Sequence, residues 1–218
     1  MTQIILVRHG QANTGARDEE SYDKLSDLGR QQARWLGEYL HGTDHGVTRI
    51  ISGNLFRQRD TAAEIADKLG FEVTEDPRLK ELDYFSLAKS LEEQKNIAMP
   101  TDRASFIEHF PKVMEAWEEG AIYSASETYQ DFATRVLGAL EDAEKQDGTM
   151  LVTSGGVIGT AMRHILGLDL HSYAHMLLQV NNSSYHRYTV EYGARRLNMF
   201  NALAHLDVPE RAYARTFI

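Results

Sequence analysis

Arg8-His9-Gly10, Arg57 and Ser154-Gly155-Gly156 are the residues whose types and placement suit chemistry on a phosphate group. An arginine presents five N–H donors in a rigid fork that matches phosphate oxygens, so two arginines brought to one crevice would hold a phosphoryl group. His9 sits beside the first of them. Its imidazole, with a reference pKa near 6.5, keeps a neutral nitrogen at neutral pH and suits either a nucleophile or a general base. Ser-Gly-Gly at a helix start offers a hydroxyl and backbone N–H groups to an oxyanion. Phosphoryl transfer asks mainly for positioning and charge stabilisation, so an arginine pair can take the part that a metal plays elsewhere. A lone Arg-His-Gly triplet arises by chance in roughly one chain in fifty of this length at average residue usage. What gives it weight is where it stands.

Each group follows a short apolar run. Ile4-Ile5-Leu6-Val7, the segment Val47 to Ser52, and Met150-Leu151-Val152-Thr153 read as buried parallel strands, and in open α/β sheets ligands bind outside the carboxyl ends of such strands. Helical patterns lie between them. Ser26 is placed to cap a helix carrying Leu28, Ala33, Leu36 and Leu40. Asn54 is placed to cap another with Leu55, Ala62, Ile65 and Leu69, closed by Gly70; Arg57 then falls in its first turn, where free N–H groups also favour an anion. Strand and helix alternate, which predicts an α/β fold with a parallel sheet. Residues 84 to about 128 break the alternation: acidic, with Pro100 and Pro111, they read as irregular helices around Phe106, Phe110, Val113 and Trp117, an insertion over the sheet edge. A helix with Phe132, Val136 and Leu140 follows, and Tyr185 to Val190 with Arg196 to Phe200 flank Gly193 as a late hairpin.

Leu6-Val7-Arg8-His9-Gly10 resembles the defining motif of the histidine phosphatase (phosphoglycerate mutase-like) superfamily. Leu25-Ser26-Asp27-Leu28-Gly29-Arg30-Gln31-Gln32-Ala33 is similar to its Leu-Ser-x-x-Gly-x-x-Gln-Ala helix start. Ser52 to Ala62 is similar to its Ser-Ser-Pro-Leu-x-Arg-Ala-x-Gln-Thr-Ala stretch, which selects Arg57 rather than Arg59 for phosphate. Leu79-Lys80-Glu81-Leu82-Asp83 resembles the segment with the family's acid, and Leu197 to Leu206 its Asn-x-x-His-Leu ending. The resemblance implies a three-layer α/β/α sandwich with a mostly parallel central sheet, one domain over residues 1–218 with a cap-like insertion at about 84–128. It implies His9 as the nucleophile that forms a phosphohistidine, Glu81 as acid and base, and Arg8 and Arg57 on the phosphoryl oxygens. Asn13, Ser154 and Gly155 are the further substrate-binding residues expected.

Two departures bear on turnover. The family's fourth strand usually ends in His-Gly, whereas this chain has Ser154-Gly155, a variant found in one branch of the superfamily; and the family's Thr and Asn after Arg-His-Gly are replaced by Ala12 and Gly15. The expected activity is metal-independent phosphomonoester hydrolysis. The alternatives are a phosphoglycerate mutase-like phosphotransferase, and a catalytically impaired protein that binds a phosphorylated ligand because Ser154 replaces the second histidine.

Composition bounds the rest. The chain has 218 residues, 23 basic and 32 acidic, a net charge of −9, and no cysteine. Thiol catalysis is thereby excluded, and the acidic balance argues against nucleic acid or an anionic membrane as partner. The Ile4–Val7 run is too short for a signal segment or a span, which predicts a cytoplasmic protein. His41 with His45 and His171 with His175 have helical spacing but lack a companion ligand, and Gly155 to Gly159 lacks the dinucleotide order, so neither a metal nor a cofactor is expected. A small phosphorylated substrate is the expected partner, and a homodimer is compatible with the sequence.

Overall fold

The structure is a computed structural model, and it describes residues 1–16, 18–123 and 126–217. Among these, six strands form one sheet: β1 (Thr2–Arg8), β2 (Arg49–Ser52), β3 (Val73–Glu75), β4 (Thr149–Thr153), β5 (Tyr185–Glu191) and β6 (Ala194–Ala202). Their order is β3-β2-β4-β1-β5-β6. β1 runs parallel to β4, β4 to β2 and β2 to β3, whereas β5 and β6 are antiparallel additions on the other side of β1.

Side chains alternate across a strand, and here both faces are apolar because both are covered. Ile5, Val7, Ile50, Met150 and Val152 face α2 (Asp27–His41) and α3 (Phe56–Leu69), against Leu36, Leu40, Ala62 and Ile65. Ile4, Leu6 and Leu151 belong to the opposite core, built from α4 (Tyr84–Lys95), α5 (Arg103–Glu118), α6 (Tyr129–Ala143), α7 (Gly155–Leu166) and α8 (Leu170–Leu177). The result is a three-layer α/β/α sandwich. Leu6 is fully buried in the central strand, so Leu6→Ala should cost about 2–5 kcal/mol through lost transfer energy and a cavity.

The helix starts show which local signals held. Ser26 caps α2, its Oγ accepting the Gly29 N–H at 3.0 Å. Asn54 does not cap α3, a correction to the sequence reading: the N-cap is Leu55, and the cap comes from a distant carboxylate. Asp23 accepts the N–H groups of Phe56 at 2.9 Å and Arg57 at 3.0 Å. Between β1 and α2 the chain also forms a one-turn helix, α1 (Glu19–Tyr22), capped by Asp18. Between residues 84 and 118 the chain forms two regular helices, α4 and α5, joined by residues 96–102, rather than irregular ones: α5 passes unbroken through Pro111 with Phe110, Val113, Met114 and Trp117 buried. Packing on α6 and α8 outweighs the backbone hydrogen bond that proline removes.

Two glycines seal the loop after β1 to α2. A Cβ on Gly10 would lie 2.7 Å from the carbonyl carbon of Gly29, and one on Gly29 would lie 2.8 Å from the Gln11 nitrogen. Neither position has room for a side chain, which is a physical reason for the glycine in each motif. Among the described residues no helix is long and apolar enough to cross a membrane.

Candidate active site

His9 lies just beyond the carboxyl end of β1, beside β4. Its backbone is fixed from both neighbours: His9 N–H donates to the Thr153 carbonyl at 2.8 Å, and the His9 carbonyl accepts from Ser183 N–H at 3.2 Å. The ring is 2% exposed. Nδ1 stands 2.7 Å from the Gly10 carbonyl oxygen, which can only accept, so Nδ1 carries the hydrogen and Nε2 keeps the lone pair. Burial, then the charges of Arg57 and Arg8, hold the imidazole pKa well below its ordinary value, against a smaller opposing effect of the Gly10 hydrogen bond.

The two arginines are held differently. Arg8 donates through Nη1 to the Val180 carbonyl. Arg57, 1% exposed, donates through Nη1 to Glu19 Oε1 at 2.7 Å and Asp23 Oδ1 at 3.3 Å, and its guanidinium carbon lies 4.8 Å from the Tyr22 ring centre. Burial alone would lower the Arg57 pKa, but Glu19 and Tyr22 hold it raised. In both arginines the Nε–H is buried with no hydrogen-bond partner. A buried unpaired donor on a charged group is costly, and two of them beside one imidazole are donors awaiting an acceptor. The expected use of the α3 N-terminus by that acceptor is corrected here, since Asp23 already takes the Phe56 and Arg57 N–H groups. Arg59, by contrast, is half-buried and pairs with Glu75 at 3.5 Å.

Glu81 closes the other side. Its Oε2 accepts the Gly156 N–H at 2.9 Å and its Oε1 accepts the Leu82 N–H at 2.9 Å, so the carboxylate is pinned at the N-terminus of α7, where negative charge is favoured. Gly155 lies between the partners: a Cβ there would be 3.8 Å from Glu81 Oε2 and 3.9 Å from Arg8 Nε. Ser154 is fully buried, with its Oγ accepting from Gln58 Nε2 at 2.8 Å. The same amide donates to the Leu79 carbonyl at 3.0 Å, so Gln58 ties α3, β4 and the Glu81 loop together. Asn13 reaches the cavity wall, yet its amide binds its own loop, donating to Ser21 O at 2.9 Å and accepting from Gly15 N–H at 3.2 Å.

Above these groups opens a cavity of about 630 Å³, with Arg8, Arg57, Glu81 and Gly155 in its floor. His9 and Ser154, both buried, are not among its lining residues. Three residues that sequence reasoning missed, Glu19, Tyr22 and Asp23, surround Arg57. Their signal was the acidic run Asp18-Glu19-Glu20 ahead of the Ser26 cap, but nothing local indicates that it folds back onto an arginine 38 residues away.

Known proteins resemble this chain in sequence and fold. The family model for the histidine phosphatase superfamily (branch 1) matches residues 4–203. A probable phosphoglycerate mutase GpmB of Enterobacter sp. (strain 638) is 32% identical over 222 residues, covering 96% of this chain and 97% of that protein. The protein of the same name in Yersinia pestis (strain Pestoides F) is 31% identical over the same shares. Among solved structures, a mycobacterial glucosyl-3-phosphoglycerate phosphatase in complex with VO3 superposes with a TM-score of 0.65 at 25% identity, over 93% of this chain and 100% of that one. A phosphoserine phosphatase from Entamoeba histolytica in complex with 3-phosphoglyceric acid shares the fold, with a TM-score of 0.71 at 22% identity over 94% of this chain and 100% of its own.

Proposed function

The chain belongs to the histidine phosphatase superfamily, branch 1, and on that premise we propose that it is a metal-independent phosphomonoester hydrolase that works through a phosphohistidine on His9. The observation that carries the reading is the pair of buried, unpartnered Nε–H donors of Arg8 and Arg57 beside a neutral imidazole. A phosphoryl group placed between them satisfies both donors and receives the charge that phosphoryl transfer requires.

In the first step the His9 Nε2 lone pair attacks phosphorus, the P–O bond to the alcohol breaks, and Glu81, carrying a proton taken up from water in the preceding turnover, gives it to the departing oxygen. In the second, Glu81 takes a proton from water, whose oxygen attacks phosphorus. The P–N bond breaks, inorganic phosphate leaves, and His9 is restored. Arg8 and Arg57 stay on the equatorial oxygens throughout.

The test is phosphate release from p-nitrophenyl phosphate with excess EDTA, by wild type and His9→Ala, with acid-labile phosphorylation of His9 followed by mass spectrometry. EDTA-resistant turnover that disappears in His9→Ala is expected; turnover retained in that variant would overturn the mechanism. A second reading follows from Ser154, whose hydroxyl is engaged with Gln58: a protein that binds a phosphorylated ligand without turning it over. Binding of inorganic phosphate, lost in Arg57→Ala, with no release from any ester would favour it. Isomerisation of 3-phosphoglycerate without free phosphate would favour a mutase instead.

A further inference from the structure

The cavity lining is chemically mixed. Beside the charged groups just described it carries an apolar wall of Tyr84, Phe85, Met99, Phe106, Phe110 and Leu177. The aromatic rings support one another: Tyr84 and Phe106 have centroids 5.1 Å apart, Phe106 and Phe110 5.7 Å, Tyr84 and Phe85 6.0 Å. The wall is therefore preformed rather than assembled around a ligand. Its one hydroxyl is spent elsewhere, since Tyr84 Oη lies 3.0 Å from Nδ1 of His109 on α5, and what Tyr84 presents is its ring.

Two further arginines line the cavity: Arg215 pairs with Asp207 at 2.8 Å, and Arg103 lies over the Phe217 ring at 4.1 Å. The carboxylates lining the cavity, Glu19 and Glu81, oppose a second negative charge on the ligand. A small ester such as a phosphoglycerate leaves most of this aromatic surface uncovered, whereas an apolar body buries it.

We propose that this aromatic wall is an acceptor surface for the alcohol part of the substrate, and that this alcohol is bulky and apolar. The proposal rests on the phosphomonoesterase reading above and names its substrate class: phosphate esters with an aryl or long-chain body.

The test is kcat/KM for ethyl, butyl and hexyl phosphate, measured by phosphate release, with 3-phosphoglycerate alongside. Primary alkyl esters share one leaving-group chemistry, so differences among them read the pocket. Full burial is worth about fourfold per methylene, and a rise of at least about tenfold from ethyl to hexyl is expected from that value. Phe85→Ser should flatten the series while leaving inhibition by inorganic phosphate unchanged. A flat series in the wild type, or 3-phosphoglycerate turned over faster than hexyl phosphate, would overturn the proposal. If no ester is turned over, the hydrolase reading fails, and calorimetry decides the pocket alone: hexyl phosphate binding at least about tenfold tighter than inorganic phosphate supports it by the same methylene arithmetic, and equal binding refutes it.

Discussion

His9 is kept neutral chiefly by burial, with the two arginines adding to the effect. Its proton should therefore come on well below pH 6.5, and the acid limb of kcat/KM should not show a break near that value. Imidazole C–H NMR checks this directly: in Arg57→Ala the His9 titration should move up, yet stay below 6.5, because burial remains. A wild-type titration at the ordinary value would refute the assignment. Glu19 is the counterpart. Burial raises its pKa against the pull of Arg57, with Glu81 and Asp83 pushing the same way as burial. Ionised, it competes with an incoming phosphoryl group for Arg57; protonated, as pH falls through its raised pKa, it releases that guanidinium. Glu19→Gln should thus strengthen inhibition by inorganic phosphate severalfold at pH 8, and the ratio of wild-type to variant Ki should shrink toward acid pH. Because the ligand's own ionisation affects both proteins alike, a ratio that is constant with pH would exclude this role for Glu19.

Helix N-termini set the active-site geometry, and two of them are capped from outside. Asp23 holds α3 and Glu81 holds α7, so the carboxylates that orient the site also finish these helices. At Gly156 a Cβ would overlap Glu81 Oε1 and stand 2.7 Å from Leu82 Cδ2. Gly156→Ala should displace Glu81 and lower kcat by about 10²-fold, the scale for loss of a positioned acid and base, with the fold kept by circular dichroism. Unchanged kcat would remove Glu81 from its role. Ser154→His, the substitution that restores the family's usual residue, should lower activity rather than raise it. The site is fully buried and filled by Gln58, and an imidazole would have to expel that amide from Leu79 O as well. A gain in turnover would show that Ser154 is a defect instead. The strands β1, β2 and β4 and the Ser26 cap were legible in the sequence because short β-branched runs and a capping hydroxyl are local signals. The α3 cap was not, because its carboxylate comes from 33 residues upstream; nor was β3, three residues at the sheet edge with two of them exposed. Arg8, His9 and Arg57 were placed by motif. Ser154 was assigned to substrate by its place after β4, in the slot of the family's second histidine, and Asn13 as a substitute for the missing family amide; their actual partners depend on packing that neither signal encodes.

For the whole molecule, two further buried histidines matter. Burial, with smaller contributions from Arg8 and Arg211, lowers His186 and His205 to about 3. Both bind serine hydroxyls, His186 to Ser184 at 3.1 Å and His205 to Ser183 at 2.8 Å, so both sit under the segment that holds the His9 carbonyl. Their folded values lie below the unfolded 6.5, so the stability they contribute is present above pH 6.5 and is lost as pH falls from there toward 3. At pH 5 each should cost about 2 kcal/mol relative to pH 7. Urea unfolding of His186→Gln at both pH values should show that difference reduced by about this amount; an unchanged difference would mean His186 is protonated in the fold. The position of β1 has a further consequence, one of timing. β1 precedes the other strands of the sheet, and its neighbours begin at Thr149 and Tyr185. Arg8 waits for Val180, and the His9 backbone for Thr153 and Ser183, so His9, the nucleophile proposed above, has no fixed place until Ser183 has been added. A growing chain carries this histidine long before it holds the partners that fix it.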